Sequence, residues 1–167
     1  MSHEEHKSKA PKSVNCAVVT MSDSRTPEND DSGKLIIKLL EKNNHKLINY
    51  SVIKDNKKLI NEKINQLTKN KKIKAIITNG GTGIAKKDVT IEAIKPLFEK
   101  ELTAFSYLFA KLSYNAIGSA AVLSRATAGI ANKKVIFCLP GSPEAVGLAM
   151  NKLILPEIGH IVKHLGD

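Results

Sequence analysis

The stretch KAIITNGGTGIAKKDVT, residues 74–90, ends an apolar run on three glycines, Gly80, Gly81 and Gly83, with Thr82 between them and Asp88 close behind. Missing side chains let backbone N–H groups approach a ligand and take positive φ angles, the makings of an anion-binding nest. Thr82 adds a hydroxyl. No G-K-[ST] follows, and the spacing is not G-x-G-x-x-G, so neither the Walker loop nor the dinucleotide fingerprint is present. A plain tight turn satisfies the same pattern. Asp88 stands just ahead of a predicted helix over 89–98, where it would serve as an N-cap. Beside a phosphate nest it would instead hold Mg²⁺, a hard cation that shares its shell with substrate phosphates. A second turn, PGSPEAV at 140–146, places Ser142 at the start of another predicted helix, whose N-terminal amides favour an anion. Capping alone would also explain a serine there.

Two of the 26 basic residues are arginines, Arg25 and Arg125, and both fall in polar, turn-like stretches, MSDSRTPENDDSG and LSRATAG. A guanidinium offers a planar fork that lysine cannot imitate, so these positions are candidates for bidentate contacts to oxyanions; chance surface placement is the plainer reading. Histidine chemistry has little support. His160 and His164 are spaced i, i+4 without an evident third metal ligand, which describes a solvated helix face, and no Ser-His-Asp constellation can be assembled. Cys16 and Cys138 lie inside apolar runs and outside any C-x-x-C pair, which assigns them to core packing. The formal charge of +10 calls for an anionic partner. Lysines are dispersed and aromatics few, so nucleic acid ranks last.

Short apolar runs that alternate with amphipathic ones must position these groups. Strands are predicted at 14–20, 46–55, 73–78 and 133–140. Between them, Leu35, Ile36, Leu39 and Leu40 recur at helical spacing over 32–43, with Asp31 or Ser32 as cap. Leu59, Ile60, Ile64 and Leu67 do so over 58–70. The β-α-β-α-β order predicts a mostly parallel sheet with helices on both faces and right-handed crossovers. Further helices are expected over 102–114, through Phe105, Leu108, Phe109 and Leu112, and over 144–155 and 156–165, the last with Pro156 in its first turn. Residues 1–12 lack periodicity and read as a flexible tail; 13–167 read as one domain. No apolar run approaches the roughly 18 residues of a membrane span, and the start has no signal-peptide pattern, so a cytoplasmic protein without membrane contact is expected. Three polar or glycine-bearing turns would then gather beyond the carboxyl ends of the strands, where open parallel sheets bind ligands.

The motifs TMSDSR, DDSG, ITNGGTGIAKKDVTIEAIKPLF, LSRATAGI and FCLPGSPEAV occur in the order and approximate spacing of the MoaB/Mog family of molybdenum-cofactor biosynthesis proteins, which the chain resembles over nearly its whole length. The resemblance implies a three-layer α/β/α sandwich, assembled as a homo-trimer or homo-hexamer, that binds molybdopterin. In active members Mg²⁺ and ATP adenylylate the pterin's terminal phosphate, releasing pyrophosphate ahead of a downstream molybdenum insertase. By the same resemblance, Asp88 is the catalytic aspartate that organises Mg²⁺, and Asp55 is a second functional aspartate. Gly80, Gly81, Thr82 and Gly83 form the nucleotide-phosphate loop, and Ser22, Asp23 and Arg25 the first-strand side of the pocket. Ser124, Arg125, Gly129, Pro140, Gly141, Ser142 and Pro143 bind the pterin and its phosphate. A non-catalytic molybdopterin carrier and an oligomeric scaffold are alternatives within the same family.

Overall fold

A computed structural model describes residues 10–166. Of the expected N-terminal tail, residues 1–9 lie outside the described residues. Six strands form one mixed sheet in the order β2-β1-β3-β6-β5-β4. They are β1 (Asn15–Met21), β2 (Lys46–Ile53), β3 (Ala75–Asn79), β4 (Lys100–Glu101), β5 (Thr127–Ala131) and β6 (Lys134–Leu139). The four strands from β2 to β6 pair in parallel, and β5 and β4 continue the sheet antiparallel. The first part of the predicted order therefore holds. β5 differs from expectation, because TAG in LSRATAG opens a strand instead of lying in a polar turn. Its small residues lack the β-branched run that marks β1 and β3.

Helices α1 (Asp31–Lys42), α4 (Thr103–Ile117), α5 (Pro143–Ala149) and α6 (Leu155–Gly166) cover one face, and α2 (Lys57–Lys69) and α3 (Thr90–Ile94) the other. Alternate residues of each central strand feed the two cores. Val18, Ile77 and Phe137 point to one, and Ala17, Val19, Ile76 and Ile136 to the other. With both faces covered, these strands read as continuous apolar runs. Among the residues predicted to face the core, Leu59 and Leu108 are exposed, because the buried stripes run through Ile60, Ile64 and Leu67 in α2 and through Phe105, Phe109 and Ser113 in α4.

The cap of α1 is neither Asp31 nor Ser32. Asp30 fills that position and accepts the Gly33 N–H, which frees the Ser32 hydroxyl. The two predicted C-terminal helices are one continuous run, because a π turn at Met150–Ile154 widens the helix just before Pro156. A proline clashes with the preceding turn of a regular helix, and the wider turn accommodates it. This run, Pro143–Gly166, has 24 residues and a mean hydropathy of 1.2 in its most apolar window, enough by length and composition to cross a membrane. Val146, Ala149, Met150, Ile154 and Ile158 of this run are wholly buried in the core on that face of the sheet.

Candidate active site

β1 lies between β2 and β3, and the chain crosses from β1 to β2 over one face by α1 and from β2 to β3 over the other by α2. That reversal opens a crevice beyond the carboxyl ends of β1 and β3. All four parallel strands deliver their following segments to this edge, around a hollow of about 580 Å³. Ser22, Arg25, Asp55, Gly80, Gly81, Thr82, Gly83, Asp88, Ser124, Arg125, Pro140, Gly141 and Ser142 line it. Asp23 and Pro143 stand beside it: the Asp23 carboxylate accepts the Asp55 N–H at 3.2 Å, and Pro143 is the first residue of α5. Gly129 is the exception. It sits in β5 under the Phe98 ring, which occupies the space a side chain would need, so its small size serves packing in the sheet.

Gly80 and Gly81 have φ of 89° and 63°, a left-handed pair that ordinary residues adopt only under strain. Gly83 is not in that region. It is small for a different reason: the Asp88 carboxylate Oδ2 lies 2.6 Å from where a Cβ would stand. Asp88 does not cap the following helix, whose N-cap is Val89 without a side-chain bond. Its carboxylate instead accepts the Ala85 N–H at 2.9 Å, which closes the turn and keeps the group at the hollow.

Four carbonyl oxygens around the rim are each captured by a donor from elsewhere. The Thr90 hydroxyl holds the Gly80 carbonyl at 2.9 Å, and the Thr90 N–H holds that of Gly81 at 2.9 Å. The Arg125 guanidinium holds the Gly83 carbonyl at 2.9 Å and also pairs with Glu92. The Gly141 carbonyl accepts from the Arg25 guanidinium at 3.1 Å and from the Ser32 hydroxyl at 2.7 Å. A trans peptide is planar, so its N–H points opposite to its C=O. Anchoring these carbonyls therefore turns the N–H groups of Gly81, Thr82, Ile84 and Ser142 away from the anchors. Both arginines thus donate to main-chain carbonyls, and each also has a carboxylate beside it, Asp30 for Arg25 and Glu92 for Arg125. Ser142 does cap α5, accepting the Ala145 N–H at 3.2 Å.

Asp55 carries the clearest electrostatic signature. Burial, and then the Asp23 and Asp88 carboxylates, push it above the usual carboxylate range, while Lys87 pulls the other way. Its Oδ1 is buried without a hydrogen-bond partner. An orphaned, proton-hungry oxygen near two further carboxylates is a site that a hard cation would relieve, so the residues fit Mg²⁺. Among the described residues no three His, Cys, Asp or Glu side chains cluster closely enough to hold a metal unaided. The coordination shell would need phosphate oxygens from a substrate.

Several groups at the site are not singled out by the sequence. Lys87 and Glu144 line the hollow, as does an apolar wall of Ile117, Leu123 and Leu148, which suits a planar heterocycle. Asp30 lies wholly buried beneath it, accepting from Thr20 at 2.5 Å, Tyr50 at 2.7 Å and the Gly33 N–H at 3.0 Å. Its position in the DDSG motif was the available hint. The two cysteines are buried and free, and burial pushes each thiol up to about 12, which leaves them unreactive.

Residues 17–160 match a family model described as a probable molybdopterin binding domain. The chain is 50% identical over 166 residues to molybdenum cofactor biosynthesis protein B of Bacillus subtilis strain 168, covering 99% of this chain and 98% of that protein. It is 44% identical over 160 residues to the protein of that name from Staphylococcus aureus strain MRSA252, covering 94% and 95%. A crystal structure of a molybdenum cofactor biosynthesis protein B superposes with a TM-score of 0.92 at 49% identity, covering 95% of this chain and 99% of that one. The tungsten cofactor synthesizing protein MoaB of Pyrococcus furiosus superposes with a TM-score of 0.85 at 39% identity, over 95% and 100%.

Proposed function

The chain belongs to the MoaB/Mog family of molybdenum cofactor biosynthesis proteins, and from that premise we propose that it binds molybdopterin and adenylylates its terminal phosphate with ATP. The observation that carries this reading is the convergence of four parallel strand ends on one hollow. It has an amide-rich rim, a carboxylate pair at Asp55 and Asp88, and an apolar wall.

In the proposed reaction an oxygen of the pterin's terminal phosphate attacks the α-phosphorus of ATP. The bond from that phosphorus to the bridging oxygen of the β-phosphate breaks, and pyrophosphate leaves with the electron pair. Both reactants are anions, so the protein's task is alignment and charge neutralisation. The N–H groups of Gly81, Thr82 and Ser142 would receive phosphate oxygens, and Lys87 adds a cation at the rim. Asp88 and Asp55 would hold Mg²⁺, which supplies neutralisation of the phosphate charge. Ser22, Asp23 and Arg25 bound the first-strand side. Ser124, Arg125 and the turn Pro140, Gly141, Ser142 and Pro143 bound the pterin side, with the apolar wall against its ring system.

The test is pyrophosphate release from Mg-ATP and purified molybdopterin. Asp88→Ala is expected to slow release by about 10²-fold or more, roughly 3 kcal/mol of transition-state stabilisation, while leaving the fold intact. Equal rates in variant and parent would remove Asp88 from the mechanism. A parent that binds molybdopterin and releases no pyrophosphate would be a carrier, and one that binds neither ligand a scaffold.

The same reading includes self-assembly as a trimer or hexamer and delivery to a molybdenum insertase. Self-assembly is supported by Tyr107, Leu108, Tyr114, Ile117, Val122 and Leu123, large apolar side chains left exposed on α4 and the 3₁₀ turn Gly118–Leu123.

A further inference from the structure

The Asp30 network joins all four parallel strands beneath the site. Thr20 belongs to β1 and Tyr50 to β2, and both donate to the Asp30 carboxylate. Asn79, the last residue of β3, donates to the Thr20 hydroxyl at 2.8 Å. Arg25 lies 3.7 Å from Asp30 and reaches onward to the Gly141 carbonyl in the segment after β6. Gly33 has no room for a side chain against the Asp30 carboxylate and Thr20 hydroxyl, so the packing around this charge is tight.

We propose that Asp30 and Arg25 form one positioning unit. The buried carboxylate holds the guanidinium, the guanidinium and Ser32 hold the Gly141 carbonyl, and the captured carbonyl aims the Ser142 N–H at a phosphate group of the ligand. Arg25 then acts through a peptide bond, and its charge matters because it balances Asp30. The inference rests on the reading of the hollow as a phosphate-ligand site.

A charge-balanced swap separates this role from direct binding of the anion. Arg25→Gln keeps a donor for the Gly141 carbonyl but leaves Asp30 without its cation, and Asp30→Asn leaves Arg25 without its anion. Each single variant is expected to lower kcat/KM by about 10-fold or more, and the double variant to return within about 3-fold of the parent. A double variant as impaired as Arg25→Gln would mean that the positive charge acts on the ligand itself, and would overturn the proposal. Should the single variants fail to fold, a folded double variant about 30-fold or more below the parent would do the same.

The second readout is the Ser142 amide resonance during titration with pyrophosphate alone. It is expected to shift in the parent and in the double variant. No shift at Ser142 while Gly81 and Thr82 respond would overturn the proposal. This measurement needs neither ATP turnover nor pterin. A parent that releases no pyrophosphate in the enzymatic assay but shows the Ser142 shift would defeat the adenylylation reading and leave the positioning unit standing.

Discussion

Asp55 illustrates how a single side chain at the hollow can weigh on the fold. Its proton affinity is raised in the folded protein by burial and by Asp23 and Asp88. The folded state therefore binds more protons than the unfolded one just above the ordinary carboxylate pKa, and stability falls as pH rises through that window. Asp55→Asn is expected to raise the melting temperature at pH 7 in the absence of ligand. The gain should vanish below the carboxylate range, while Mg-ATP stabilises the parent more than the variant. Calorimetry with and without Mg-ATP checks both parts, and a lower melting temperature for the variant at pH 7 would refute the account. His45 behaves in the opposite sense. Its Nδ1 accepts the Val14 N–H at 3.1 Å, and burial lowers its pKa from the ordinary 6.5. The unfolded chain takes up that proton first, so stability holds above pH 6.5 and declines as pH falls toward the folded-state value. His45→Gln is expected to flatten that part of the stability profile in denaturant titrations. The Val14 amide that His45 receives is 31 positions away, beyond the reach of local pattern.

At the scale of elements, the turn after β3 depends on backbone shape more than on side-chain chemistry. Gly80 is left-handed, and a Cβ there would run into the Met21 carbonyl at the end of β1. Gly80→Ala therefore meets both backbone strain and a clash with main chain, which has no rotamer to yield. A loss of about 2 kcal/mol or more is expected in urea unfolding, together with loss of pyrophosphate release. A variant within about 0.5 kcal/mol of the parent would show that the turn is adaptable. The run of glycines was legible in the sequence as a special turn. Their separate reasons were not, since Gly83 yields to a carboxylate and Gly129 to the Phe98 ring. The same limit applies at the C-terminus: Pro156 signalled a break, and tertiary packing instead kept one helix by widening a turn ahead of it.

For the whole molecule, the exposed apolar side chains of α4 and the 3₁₀ turn beside it are the feature a lone chain leaves unexplained. Val122 is 85% exposed, yet Ile117 and Leu123 of the same patch also line the hollow. Assembly and ligand binding would then share a wall. Val122→Glu is expected to lower the mass seen by sedimentation toward that of one chain and to weaken pterin binding by several-fold. Parent protein that sediments as a monomer would dismiss the assembly.

Local pattern was enough to place β1, β2, β3, β6 and the first two helices, to single out GGTG, Asp88 and PGSP, which the fold brings to one hollow, and to identify the family. These features are written in consecutive residues, where periodicity, glycine runs and turn chemistry act over a few positions. Sheet order, the antiparallel edge at β5 and β4, and the gathering of four strand ends around one hollow were decided by packing. So were the carbonyl anchors at Thr90, Arg25 and Arg125 and the network on Asp30. The carbonyl anchors reach up to 116 positions along the chain and the Asp30 network draws in Thr20 and Tyr50 from 10 and 20 positions away, and such pairings are settled only when two cores bury both faces of the sheet at once.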